Sequence, residues 1–171
     1  YKGLLTGTSS HVGGYSLNYH KHIHTGEGGI LVTNDDDIAD RLRLIRNHAE
    51  AVVNGFDIKN LTNMVGYNFR MGEIEAAIGI EQLKKLDDFV EEKRKWANFL
   101  IKELHGLPGL RLPITLPNCS HCFYAFPMLI DPNITKVSKK IIYKALLAEG
   151  VPALASNFKT LSSLPIYQNK I

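Results

Sequence analysis

Only two cysteines, Cys119 and Cys122, occur in these 171 residues. So few thiols exclude a disulfide-stapled scaffold and suit a reducing cytoplasm. Their C-x-x-C spacing does not make a redox centre, because a thioredoxin-like pair opens a helix, whereas Phe123–Ile130 reads as a strand. One such pair also cannot fill a zinc site. Charge of one sign is lacking too: 20 Lys and Arg face 17 Asp and Glu, a net charge of +3. The two signs are interleaved, most densely from Lys84 to Lys95, which argues against a nucleic-acid partner. No apolar run is long enough to cross a bilayer and no signal-peptide pattern occurs, so no membrane partner is expected. No G-K-[ST] follows a glycine cluster, which excludes a nucleotide-hydrolysing P-loop. What remains, 44% hydrophobic and 22% charged residues, has the balance of a globular protein of one domain or part of two.

Local patterns give the element order. Residues 1–15, rich in Gly, Ser and Thr, read as loop and short strand. Gly29 to Thr33 reads as a buried strand. Asn34 or Asp35 then caps a helix to about Arg46, with Ile38, Leu42 and Ile45 at helical spacing. Residues 47–70 lack sustained periodicity, and so long an irregular connection is often functional. From Met71 a long amphipathic helix is expected to about residue 104, bent near Asp87 and Asp88 and ended by Gly106 and Pro108. Its acids and bases from Glu81 to Glu103 read as a solvated face. A strand over Phe123–Ile130, a turn at Asp131-Pro132-Asn133, a helix from Thr135 or Ser138 to Gly150, and a short strand over Val151–Ala155 complete a small second half.

The most informative stretch runs from Ser16 to Gly29. One lysine, Lys21, lies among small, polar and imidazole side chains, with Ser16 five residues before it and Thr25-Gly26-Glu27-Gly28-Gly29 after it. Burying an ammonium is costly, so a lysine in a pocket wall suggests a nucleophile or Schiff-base former. Glycines let backbone approach a ligand closely, and their N–H groups can receive a phosphate. Lysine beside a phosphate site is what a pyridoxal phosphate enzyme requires. His20, His22 and His24 offer a rival: on a strand, H-x-H-x-H would share one face and could meet a metal, giving a non-catalytic metal-binding or regulatory module. Against it, the third histidine runs into a glycine turn, and no acidic or cysteine partner is placed to complete the ligand set. Tyr19, Glu27 and His48 are candidate pocket liners without an assigned task.

The lysine segment resembles the Schiff-base motif of the DegT/DnrJ/EryC1/StrS family of nucleotide-sugar aminotransferases, in which a serine, four residues, the cofactor lysine and a TGEGG-like turn follow one another. A second block agrees: Gly66-Tyr67-Asn68-Phe69-Arg70-Met71 is similar to the family's GYN-[YF]-R-[ML] element. It leads into Ala76-Ala77-Ile78-Gly79 as that element leads into an AA-[IL]-G helix. The piece from Ile30 to His48 is also family-like. The resemblance is strong over most of residues 1–105 and looser beyond.

The resemblance implies an α/β, aspartate-aminotransferase-like fold of the fold type I PLP enzymes. Residues 1–88 would be the C-terminal part of the large cofactor-binding domain. Residues 89–171 would belong to the small domain, joined through the helix of about 71–104. It implies pyridoxal 5'-phosphate as cofactor, Lys21 as the catalytic, cofactor-bearing lysine, and Ser16 as a ligand of the cofactor phosphate. Asn68 would be a cofactor-binding residue that reaches the phosphate across a subunit boundary, so that a homodimer shares its active sites. The reaction implied is amino transfer from glutamate or glutamine to a nucleotide-linked keto-sugar, for cell-surface polysaccharide biosynthesis. The family's pyridine-nitrogen aspartate and ring-stacking aromatic would precede Tyr1. The chain thus reads as an internal fragment expected to be inactive alone. Some family members dehydrate sugars with the same cofactor and carry histidine in place of the lysine; Lys21 argues against that alternative.

Overall fold

The computed structural model describes residues 1–50, 64–152 and 159–169. Spatial contact divides the chain into two compact units, Tyr1–Leu100 with Ile114–Phe126, and Ile101–Pro113 with Pro127–Ile171.

The first unit opens on an antiparallel pair, β1 (Gly13–Ser16) and β2 (Gly29–Val32), in which Ser16 stands opposite Gly29. Helix α1 (Asp36–Ile45) starts where the sequence places it: the Asp35 carboxylate accepts the Ile38 N–H at 3.0 Å. That cap satisfies one of the orphan donors of the first turn. The fully buried Leu44 is the largest enclosed side chain among the described residues. Beyond α1 the backbone turns back on a second segment. Tyr67 donates to Ile45 O, His48 to Tyr67 O and Phe69 to Arg46 O, and Asn47 and Asn68 form an antiparallel bridge. Truncating Leu44 to alanine removes a side chain with no exposed surface, so urea unfolding of the intact protein is expected to register a loss of about 2–5 kcal/mol.

The expected long helix is two helices, α2 (Glu73–Leu83) and α3 (Leu86–Leu104). The break falls at Lys84 and Lys85 rather than at Asp87 and Asp88, where Lys85 N–H donates to Gln82 O and a new ladder begins with Phe89 N–H to Lys85 O. The charged face is mostly solvated, as expected, except that Arg94 is half-buried and its Nε donates to His121 O at 2.9 Å. Lys84 pairs with Glu81 at 2.6 Å and Arg94 with Glu91 at 3.7 Å, both three residues apart. The hydrogen bond and charge of Lys84 hold the Glu81 carboxyl below its ordinary range. The apolar positions are less enclosed than their spacing suggests: Ala97 is buried, but Ile74, Ile80, Leu83 and Trp96 are exposed. The same correction applies to β2, where Ile30 and Leu31 are exposed.

In the second unit β3 (Leu110–Arg111) pairs antiparallel with β4 (Leu129–Ile130). The strand expected over Phe123–Ile130 shrinks to those last two residues. Phe123 adopts a φ of +48°, its N–H donates to His121 Nδ1 at 2.8 Å, and Pro127 has no N–H to offer a ladder. Asp131 caps the short helix α4 (Pro132–Thr135), and α5 (Lys139–Ala148) follows Ser138. Helix α5 closes in a Schellman turn: Gly150 N–H donates to Leu147 O and Val151 N–H to Leu146 O, with Gly150 at a φ of +84°. The 3₁₀ turn Leu161–Ser163 and α6 (Pro165–Gln168) complete this unit. Val151 and Pro152 are not in a strand. The rest of the strand expected there, and most of the connection over 47–70, lie outside the described residues. No helix among the described residues is long and apolar enough to cross a membrane.

Candidate functional site

Ser16 ends β1 and Gly29 begins β2, so the strands present residues 17–28 as one loop. Its base is tied by Leu17 N–H to Gly28 O at 2.8 Å and Thr25 N–H to Leu17 O at 3.0 Å. Leu17 and Thr25 are buried, and the Thr25 hydroxyl donates to Glu27 O at 2.8 Å. Gly28 is needed for close packing, since a Cβ there would lie 2.6 Å from Thr25 Oγ1 and 3.2 Å from the Met71 methyl. The glycine-rich turn therefore has a packing task as well as its resemblance to a phosphate loop.

Lys21 is half-buried on this loop. Its N–H donates to Asn18 O at 2.9 Å, closing a turn over Asn18-Tyr19-His20-Lys21. Its Nζ lies 4.2 Å from the centre of the Tyr124 ring. Among the described residues no carboxylate comes within ion-pair distance of that amine. Lys21 thus presents an amine that is sheltered by an aromatic face and, among the described residues, not paired with an acid.

Asn18 connects the loop to Ser16. Its N–H donates to Ser16 Oγ at 3.3 Å, its Oδ1 accepts the His20 N–H at 3.1 Å, and its Nδ2 donates to Glu27 Oε1 at 2.7 Å. Ser16 also lines an open cleft of about 1290 Å3, together with Gly28, Gly29, Arg46, Arg70 and Glu75. Lys21 and Ser16 are therefore carried by one hydrogen-bonded framework. Asn68 is not joined to it: it is exposed and bridged to Asn47, and among the described residues its amide makes no hydrogen bond. Its neighbours Phe69 and Arg70 do line the Ser16 cleft, with Arg70 donating to Asn47 Oδ1 at 2.6 Å.

The three histidines lie in the turn rather than on a strand, so the alternation that would gather them is lost. His20 lies tilted against the Tyr19 ring with centres 3.8 Å apart, His22 Nε2 donates to Cys122 O at 2.9 Å, and His24 Nδ1 accepts the Gly26 N–H at 3.3 Å. Among the described residues no group of three or more His, Cys, Asp or Glu side chains is gathered for a metal. Cys119 and Cys122 are free thiols. Dialysis of the intact protein against a chelator is expected to leave its melting temperature unchanged, with no stoichiometric zinc by elemental analysis. One tightly held zinc per chain would reinstate the histidine reading.

Asn18 and Tyr124 are the residues that sequence reasoning missed. An Asn two residues after a Ser and just before a turn is a signal for side-chain to backbone bonding that could have singled out Asn18. Tyr124 carries no local signal, because its contact with the loop is made across the chain.

The arrangement is that of the α/β, aspartate-aminotransferase-like fold of fold type I PLP enzymes. DesV from S. venezuelae, solved in complex with a ketimine intermediate, superposes with a TM-score of 0.82 at 27% identity, over 99% of this chain and 43% of that one. The E. coli GDP-4-keto-6-deoxy-D-mannose-3-dehydratase with bound hydrated PLP gives a TM-score of 0.75 at 30% identity, over 86% and 41%. The chain belongs to the DegT/DnrJ/EryC1/StrS aminotransferase family, whose profile matches residues 1–171. It is 31% identical over 177 residues to a dTDP-4-dehydro-2,3,6-trideoxy-D-glucose 4-aminotransferase of Saccharopolyspora spinosa, covering 97% of this chain and 44% of the relative. The chain spans less than half the length of the curated relatives it matches.

Proposed function

We propose that this chain is part of a pyridoxal 5'-phosphate-dependent aminotransferase that moves an amino group from glutamate or glutamine to a nucleotide-linked keto-sugar. The observation that carries the reading is the Lys21 amine, held free of any described carboxylate on the loop that Ser16 begins. The donor set fits the cofactor. A lysine amine suits its carbonyl, and a serine hydroxyl in an open cleft, beside the Gly28 and Gly29 backbone, suits its phosphate. When bound, the cofactor supplies the electron sink that lets a bond to the substrate carbon be broken. Lys21 holds the cofactor in the resting protein and, once released, carries a proton to and from the substrate carbon through Nζ. Ser16 anchors the phosphate end, and Asn68 reaches it from a second subunit of a homodimer.

Residues 1–88 are assigned to the large cofactor-binding domain and residues 89–171 to the small one, in a cytoplasmic protein that uses neither nucleic acid nor membrane as partner. Product sugars of this kind feed polysaccharide assembly. The likeness to the dehydratase does not favour dehydration here, because the dehydrating members carry histidine where this chain has Lys21.

Colour tests the reading. The intact protein is expected to take up pyridoxal phosphate with a visible absorption band that borohydride bleaches, leaving a pyridoxyl mass on the Lys21 peptide. A colourless protein, or a label on another lysine, would remove the assignment.

A further inference from the structure

We infer that Asn18 and Glu27 form a clasp that positions Lys21 for its attachment to the cofactor. The inference rests on the reading of Lys21 as the cofactor lysine. Residues 17–28 are tied at their base by backbone bonds between Leu17 and Gly28 and between Thr25 and Leu17. Those bonds fix where the loop leaves the sheet but do not reach its tip. One residue in from that base, the side-chain tie between the two limbs of the loop among the described residues is Asn18 Nδ2 to Glu27 Oε1 at 2.7 Å. Its length is that of a charge-assisted bond.

Asn18 is also the residue on which the lysine turn is built. Its Oδ1 takes the His20 N–H, its backbone O takes the Lys21 N–H at 2.9 Å, and its own N–H rests on Ser16 Oγ. One residue therefore ties the lysine turn both to the phosphate-side serine, through its backbone, and to the returning limb of the loop, through its side chain. Freed of Glu27, the Asn18 side chain could rotate off the His20 N–H, and the turn bearing Lys21 would be left to its backbone bond with Asn18 O, the bond of His22 Nε2 to Cys122 O and the Tyr124 ring. Neither residue touches the reacting amine, so both are positioning residues.

The requirement concerns attachment of the lysine and not retention of the cofactor, which gives a test that does not depend on turnover. Intact apo-protein is mixed with pyridoxal phosphate and quenched with borohydride at timed intervals. Peptide mass spectrometry then measures the pyridoxylated Lys21 peptide, while filtration measures total bound cofactor. Asn18→Asp keeps the oxygen that accepts the His20 N–H but loses the amide donor and sets a second carboxylate against Glu27. It is expected to slow capture by Lys21 about ten- to hundredfold, the range of a lost hydrogen bond to a charged group. Glu27→Ala is expected to act in the same direction. Total binding and the melting temperature are expected to stay close to wild type.

The pair Asn18→Asp with Glu27→Gln exchanges donor and acceptor across the same contact and is expected to restore most of the capture rate, which a general loss of folding would not allow. Wild-type capture by Asn18→Asp, or no restoration in the exchanged pair, overturns the clasp. Absence of any pyridoxyl label on Lys21 in the wild-type protein is a different result, which sinks the reading of Lys21 itself.

Discussion

Lys21→Ala in the intact protein is expected to lower transamination by at least about a thousandfold, because nucleophilic attachment and general acid–base transfer are both lost with one amine. The fold is expected to survive. Lys21 is half-buried, and its one side-chain partner among the described residues is the Tyr124 ring, with Nζ 4.2 Å from its centre. A cation–π contact at a partly exposed site contributes about 0.5–1 kcal/mol, a small part of the roughly 5–15 kcal/mol of a typical domain. The variant should still hold the cofactor through its phosphate, so equilibrium dialysis would find it bound while the borohydride-sensitive band is gone. Lys21→Arg should fail in the same way, since a guanidinium stays charged and cannot attach to a carbonyl. Normal turnover by either variant would end the assignment of Lys21.

The parts of this architecture that sequence reasoning reached are those set by neighbours along the chain. Asp35 caps α1 as expected because its bond to Ile38 N–H is a matter of three residues. Ser16 and Lys21 share a framework because one short loop carries both. The bend expected near Asp87 and Asp88 is instead a full break a few residues earlier, for the converse reason. Leu83 and Leu86 are three residues apart, so apolar spacing reads through the interruption at Lys84 and Lys85 as though one helix continued.

Burial was the least accessible property. Ile30 and Leu31 look like core residues, yet their exposure depends on which other elements cover them, and spacing alone does not specify that. The surroundings of the lysine loop were equally hidden. His22 bonds to the carbonyl of Cys122, 100 residues further on, and Tyr124 comes to Lys21 with the same segment. Pattern singles out Lys21 and Ser16 as candidates, but not Asn18 and Tyr124, the residues that meet them in the structure.

Asn68→Ala is expected to weaken cofactor binding by about ten- to hundredfold, the equivalent of one hydrogen bond to a charged phosphate at roughly 1.5–3 kcal/mol. Two observations bear on how Asn68 would act. Its backbone is fixed by the bridge to Asn47 and by the bonds of Tyr67 and Phe69 to Ile45 and Arg46. Its amide, by contrast, is exposed and makes no hydrogen bond among the described residues of its own chain. An amide on a held backbone, without a partner among the described residues of its own chain, is open to a second subunit, and in a two-fold dimer each site would receive one. A complementation experiment separates the two arrangements. Lys21→Ala and Asn68→Ala chains of the intact protein are mixed and allowed to exchange. If Asn68 acts in trans, each heterodimer has one site with both defects and one site with neither, so activity returns toward half of wild type per heterodimer. If it acts in cis, every site keeps one defect and no wild-type site forms. Heterodimers demonstrated by mass spectrometry but without recovered activity would refute the shared site.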